Sequence, residues 1–171
     1  MKILVLNGSP RRNGNTASLV AAFCEGAESQ GNTIEVLNLG NMKINGCLAC
    51  EFCHGKGNGK CVQADDMQAV YPKLAAADMV VFASPVYYWS FSGQMQSCIT
   101  RFYAPGQPAA KKYALILSSG SEGVYDAIVA QYKAMVEYFG AEDAGIRMFH
   151  GEDQKSAQNW EEMRKFGAGV R

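Results

Sequence analysis

Lys2-Ile3-Leu4-Val5-Leu6 runs into Asn7-Gly8-Ser9-Pro10-Arg11-Arg12-Asn13-Gly14-Asn15-Thr16, and an apolar stripe of Leu19, Val20, Phe23, Cys24 and Ala27 follows. The residues from Ile3 to Leu6 are apolar at every position, as in a strand buried on both faces. The stripe has the three-and-four spacing of an amphipathic helix. Between them lies a polar loop that delivers the chain to a helix N-terminus. Free backbone N–H groups and the helix dipole favour an anion there. Ser9 and Thr16 add hydroxyls, Asn15 adds an amide, and Arg11 or Arg12 adds a charge-assisted donor. A strand, an anion loop and a helix in that order form the opening unit of a parallel α/β sheet.

Working outward, four more apolar runs occur at 33–39, 79–83, 113–117 and 145–149, separated by helical patterns. The runs at 79–83 and 113–117 are apolar almost throughout, so they and the first strand are central. Those at 33–39 and 145–149 interleave polar residues, as edge strands do. Central first, third and fourth strands fit a flavodoxin-like α/β fold of three layers. Its five-stranded parallel sheet has the order 2-1-3-4-5, with helices on both faces and the ligand crevice between strands one and three. The sequence reads as a single domain over residues 1–171. Further helical stripes are Met95, Cys98, Ile99 and Phe102, then Ile128, Val129, Tyr132, Met135, Val136 and Phe139, with Gly140 placed as a C′ glycine. Asp65 or Asp66 is expected to cap a helix running towards Ala77, with Pro72 limiting its first part. A last helix is expected over 157–166.

Composition bounds the function. The chain has 171 residues, 48% hydrophobic and 19% charged, with 16 Lys+Arg against 16 Asp+Glu and a net charge of zero. That balance argues against nucleic acid as a partner, because phosphate neutralisation needs a basic surplus. The apolar runs are of strand length, far short of a membrane span. The four apolar residues near the N-terminus are too few for an export signal, so a cytoplasmic location is expected. Six cysteines in a reducing compartment point to metal, cluster or redox roles before disulfides.

The first loop is not a Walker A loop, since Gly14 is followed by Asn15-Thr16 and not by Lys-Ser/Thr. It also lacks the Gly-x-Gly-x-x-Gly dinucleotide pattern. A monophosphate ester, read by hydroxyls and amides, fits better. After the third strand comes Ser84-Pro85-Val86-Tyr87-Tyr88-Trp89-Ser90-Phe91-Ser92. Four aromatics in a loop at the crevice need a reason, and a flat, largely apolar ring with polar edges supplies one. For Trp89 and Phe91, core or dimer contact is as good a reading as contact with that ring. The apolar surface of this loop makes a homodimer plausible. Ser118-Ser119-Gly120-Ser121, after the fourth strand, is small enough for close ligand approach, which nominates Ser119 and Gly120. Cys47, Cys50, Cys53 and Cys61 read Cys-x2-Cys-x2-Cys-x7-Cys. Four thiolates so close in sequence suit one [4Fe–4S] cluster. A zinc site usually shows two separated pairs, and free thiols are the bland alternative. Cys24 and Cys98 fall on core stripes, and His54 and His150 have no catalytic partner pattern.

The run from Gly8 to Thr16 resembles the FMN phosphate loop of the NADPH-dependent FMN reductase and iron–sulfur flavoprotein families. The likeness extends to the cysteine segment, the Ser84-Pro85-Val86-Tyr87-Tyr88 loop and the helix over 94–103. It implies FMN phosphate contacts at Ser9, Arg11, Asn15 and Thr16 and ring contacts at Pro85, Val86, Tyr87 and Tyr88. It also implies NAD(P)H as co-substrate and a small acceptor such as a quinone, free flavin or ferric species. Two other readings stay open. One is an electron carrier with FMN and a cluster on Cys47, Cys50, Cys53 and Cys61, reduced by ferredoxin. The other is a redox-silent module for another phosphate ester.

Overall fold

The computed structural model describes residues 1–104 and 108–171. Its elements run β1 (Lys2–Asn7), α1 (Asn15–Glu28), β2 (Thr33–Asn38), α2 (Met67–Ala76), β3 (Met79–Pro85), α3 (Gly93–Thr100), β4 (Lys112–Ser119), α4 (Asp126–Tyr138), β5 (Glu142–His150) and α5 (Ala157–Gly169). One-turn 3-10 segments occupy Leu39–Asn41, Phe52–His54 and Arg101–Tyr103. The five strands form one parallel sheet in the order β2-β1-β3-β4-β5.

Alternation along the central strands builds two cores. Leu4, Leu6, Val80, Phe82, Tyr113, Leu115 and Leu117 face α2, α3 and α4. Ile3, Val5, Met79, Val81, Ala114 and Ile116 face α1 and α5. Phe82 is fully buried, and Phe91, Phe102, Tyr113 and Tyr132 surround its ring at centroid distances of 6.2, 6.2, 5.8 and 6.3 Å. Burying such a side chain stabilises the fold by about 1.5–3 kcal/mol. On the other face α1 and α5 cross almost in backbone contact. A Cβ at Gly26 would collide with the Arg164 carbonyl, and one at Gly167 with the Phe23 carbonyl.

Several local expectations shift. β5 is longer than the apolar run because it pairs with β4 along most of its length, polar end included. Leu39 leaves β2 for a 3-10 turn, and Phe102 lies in the 3-10 turn after α3. Pro72 sits inside α2 without ending it. Its missing N–H is tolerated because Met67, Val70 and Leu74 still bury a common face. Asp66 occupies the N-cap position but makes no capping bond; Asp65 Oδ1 accepts from the Met67 N–H at 3.2 Å. Gly140 follows the C-cap Phe139 with φ +61°, the left-handed conformation expected of a C′ residue.

Candidate functional site

Loops from β1, β3, β4 and β5 leave the carboxyl end of the sheet and meet around a cavity of about 850 Å³. This lies within the range of small-molecule sites, and its place beside β1 and β3 is the topological switch point. Ser9, Arg11, Asn15, Thr16, Pro85, Val86, Tyr87, Tyr88, Ser119 and Gly120 all line it. Residues scattered over more than a hundred positions are therefore brought together.

The first loop holds its own shape. The Ser9 N–H donates to Asn7 Oδ1 (3.0 Å), the Arg11 N–H to Ser9 Oγ (3.2 Å) and the Gly14 N–H to the Arg11 carbonyl (3.2 Å). The Gly8 N–H donates to the Ala83 carbonyl (2.8 Å), tying the loop to β3. A Cβ on Gly8 would stand 2.7 Å from Ser92 Oγ and 2.9 Å from Met95 Cβ, so this close approach needs glycine. The N-cap of α1 is Gly14, in extended conformation, and no side chain caps the helix. Its first-turn N–H groups remain for a ligand. Thr16 and Ser118 share a buried hydroxyl–hydroxyl bond of 2.7 Å, which joins this loop to β4.

Charge supports an anion at this end. Arg11 and Lys155 line the cavity, and no Asp or Glu does so among the described residues. Lys155 Nζ donates to the Asn13 carbonyl at 2.6 Å. Gln154 is buried, and its Nε2 donates to the Ser119 and Gly151 carbonyls at 2.7 Å each. Its Oε1 is buried with no partner among the described residues, an acceptor at the cavity wall awaiting a donor. The sequence reading missed Gln154 and Lys155. The available signal was positional: the loop after the fifth strand also emerges at the carboxyl end.

Across the cavity stands the aromatic loop. Tyr87 and Ser90 exchange both backbone N–H···O bonds at 3.1 Å, closing a two-residue turn. Its central residues, Tyr88 and Trp89, have φ of +48° and +59°. Turns of this kind favour Asn-Gly, and a bulky residue held at positive φ costs on the order of 1 kcal/mol. The surroundings enforce the turn. The Val86 N–H donates to the Ser118 carbonyl (2.8 Å), the Ser92 N–H to Ser84 Oγ (3.0 Å) and Ser92 Oγ–H to the Gly8 carbonyl (2.6 Å). Phe91 is a core residue, whereas Trp89 lines the cavity and is 52% exposed.

A second, smaller cavity lies in the segment after β2. Cys47, Cys50, Cys53 and Cys61 all line it, with Arg101 and Tyr103. Among the described residues no three His, Cys, Asp or Glu side chains converge tightly enough for a single metal ion. That is not the arrangement of a tetrahedral zinc site. Arg101, whose side chain is 1% exposed, pins the segment. It pairs with Asp65 (2.6 and 3.2 Å) and donates to the Asn45 carbonyl (2.9 Å) and to Cys61 Sγ (3.3 Å). His54 Nε2 meets the Tyr103 carbonyl at 2.8 Å, and Tyr103 Oη donates to Glu51 Oε1 at 3.1 Å. Cys98 is a packed core thiol that burial pushes up to about 12. Cys24 is half-buried, and burial with the Glu28 charge pushes its thiol up to about 11.

An iron–sulfur flavoprotein of Archaeoglobus fulgidus is 37% identical over 106 residues, covering 62% of this chain and 47% of the relative. One from Methanocaldococcus jannaschii is 34% identical over 101 residues, covering 59% of this chain and 51% of the relative. The matched stretch thus spans about half the length of these relatives. The solved NAD(P)H:quinone oxidoreductase from Methanothermobacter marburgensis superposes with a TM-score of 0.77 at 18% identity. That superposition covers 98% of this chain and 94% of the other, a likeness of fold. The model of the NADPH-dependent FMN reductase family matches residues 1–153, and the chain belongs to that family of oxidoreductases.

Proposed function

We propose that the chain binds FMN in the large cavity and carries electrons from NAD(P)H to a small acceptor such as a quinone, a free flavin or a ferric species. The observation that carries this reading is the pairing of an acid-free, cationic anion loop with an aromatic wall at one switch-point cavity. Ser9, Arg11, Asn15 and Thr16, with the N–H groups of α1, would hold the phosphate. Lys155 adds to the same positive potential. Pro85, Val86, Tyr87 and Tyr88 would border the flat ring, with Ser119 and Gly120 opposite. The unpartnered Gln154 Oε1 suits a ligand rich in hydroxyl or N–H donors. FMN, once bound, supplies hydride acceptance and transfer of one or two electrons. The chain's own residues anchor, orient and exclude water. No acid–base dyad is required of them.

Uptake of FMN tests the reading directly. The purified protein should bind added FMN with quenched flavin fluorescence, and the complex should oxidise NADPH or NADH with a quinone present. Failure to take up FMN would favour a module for another phosphate ester. Uptake without reduction by either nucleotide would remove the nicotinamide donor. A cytoplasmic homodimer belongs to the same reading, since Tyr88, 93% exposed, presents apolar surface that a second copy would border; light scattering on the eluted protein reports the dimer.

The shared small cavity of Cys47, Cys50, Cys53 and Cys61 favours one addition, a [4Fe–4S] cluster on these four thiols. With a cluster, the chain would be an electron carrier fed by ferredoxin. Anaerobic reconstitution followed by iron and sulfide analysis decides it: about four irons per chain supports the cluster, and fewer than one removes it.

A further inference from the structure

The turn at Tyr88 and Trp89 is the most conformationally disfavoured part of the cavity wall, and the anion loop does not require it. Two neighbouring aromatic residues hold φ of +48° and +59°, where glycine and asparagine are favoured. Packing within the chain does not explain their choice: Tyr88 is 93% exposed and Trp89 52%. The strain therefore serves neither the core nor the turn. It places two aromatic residues on the cavity wall, on a turn that a closed hydrogen-bonded bridge keeps fixed. Rigid aromatic surface at the mouth of a cavity suits a flat ring that arrives and leaves, because stacking needs no directional partner.

We infer that Trp89 is a specificity-determining residue that stacks against the planar ring of the exchanging co-substrate, nicotinamide or quinone. This rests on the FMN reading above and goes beyond it. Pro85, Val86, Tyr87 and Tyr88 border the cofactor, and Trp89 selects what approaches it. A ferric complex without a flat organic ring gains nothing from Trp89.

Trp89→Gly and Trp89→Phe test this. Both are measured by FMN titration, thermal unfolding and steady-state kinetics. The kinetics vary NADPH with ferricyanide as acceptor, menadione at saturating NADPH, and ferricyanide at saturating NADPH. Trp89→Gly should relax the turn, leave the melting temperature equal or higher, and keep the FMN Kd within about twofold. It should raise KM for NADPH or menadione at least tenfold while KM for ferricyanide is unchanged, and the KM that rises identifies the ring. Trp89→Phe should restore most of the loss. Unchanged KM values for both planar co-substrates, an equal loss with ferricyanide, or a lower melting temperature would each overturn the inference. Failure of the parent protein to bind FMN would instead overturn the flavin reading.

Discussion

Asp65→Asn should destabilise the protein strongly although it changes one atom of an exposed-looking loop. The Arg101 guanidinium is 1% exposed and the Asp65 side chain 8%. Asp65 is its sole carboxylate partner among the described residues, and Arg101 Nε already lacks any partner there. Removing the negative charge leaves a buried cation with the Asn45 carbonyl and Cys61 Sγ as acceptors and no carboxylate among the described residues. Breaking such a pair from one side costs about 3–5 kcal/mol, a large share of the roughly 5–15 kcal/mol available to a domain. With a urea slope of about 2 kcal/mol/M, the unfolding midpoint should fall by about 1.5–2.5 M. Arg101→Met in the Asp65→Asn background should cost clearly less than in the parent, giving a coupling energy of about 2 kcal/mol or more.

The pH dependence has a definite sign. Burial raises the Asp65 carboxyl, but bonds from Arg101 and the Asn45 N–H, the Arg101 charge and the Met67 N–H together hold it below the usual carboxylate range. A depressed folded value means that the stabilisation is full above the unfolded value of about 3.9 and is lost as pH falls through the folded one. The gap between parent and Asp65→Asn should therefore be flat from about pH 5 to 8 and close below about pH 4. A loss under about 1 kcal/mol, or zero coupling to Arg101, would refute the assignment of this pair as the clamp of the cysteine segment.

Three further outcomes follow from the packing. Gly167→Ala should destabilise by on the order of 2 kcal/mol despite better helix propensity, since its Cβ would meet the α1 backbone; a thermal melt lowered by about 4–8 °C reports it. Thr16→Val breaks the buried bond to Ser118, so stability should drop by about 1 kcal/mol and FMN affinity should weaken in a fluorescence titration. Gln154→Leu removes the donor to the Gly151 carbonyl and one of the two donors to the Ser119 carbonyl, which keeps the Gly151 N–H. It should cost about 1–3 kcal/mol and weaken FMN binding; calorimetry showing unchanged affinity would remove Gln154 from the ligand's surroundings.

What could be read from the chain alone was whatever a short window encodes. The run from Ile3 to Leu6 is apolar without a break because both faces of β1 are buried, and this pattern placed it at the sheet's centre. The place of Ser9, Asn15 and Thr16 beside the cavity was legible because a strand, a polar loop and a helix stripe are contiguous. Gly140 was legible because a helix end leaves a local mark. The rest depended on partners far away in sequence. Lys155 meets Asn13 across 142 positions and Arg101 meets Asp65 across 36, and no periodicity encodes such pairings. The tertiary structure also decided the turn at Tyr88 and Trp89, where local preference points elsewhere. The paired bonds between Tyr87 and Ser90, the bonds made by Ser118, Ser84 and Ser92, and the burial of Phe91 hold two aromatic residues in a conformation their own backbones disfavour.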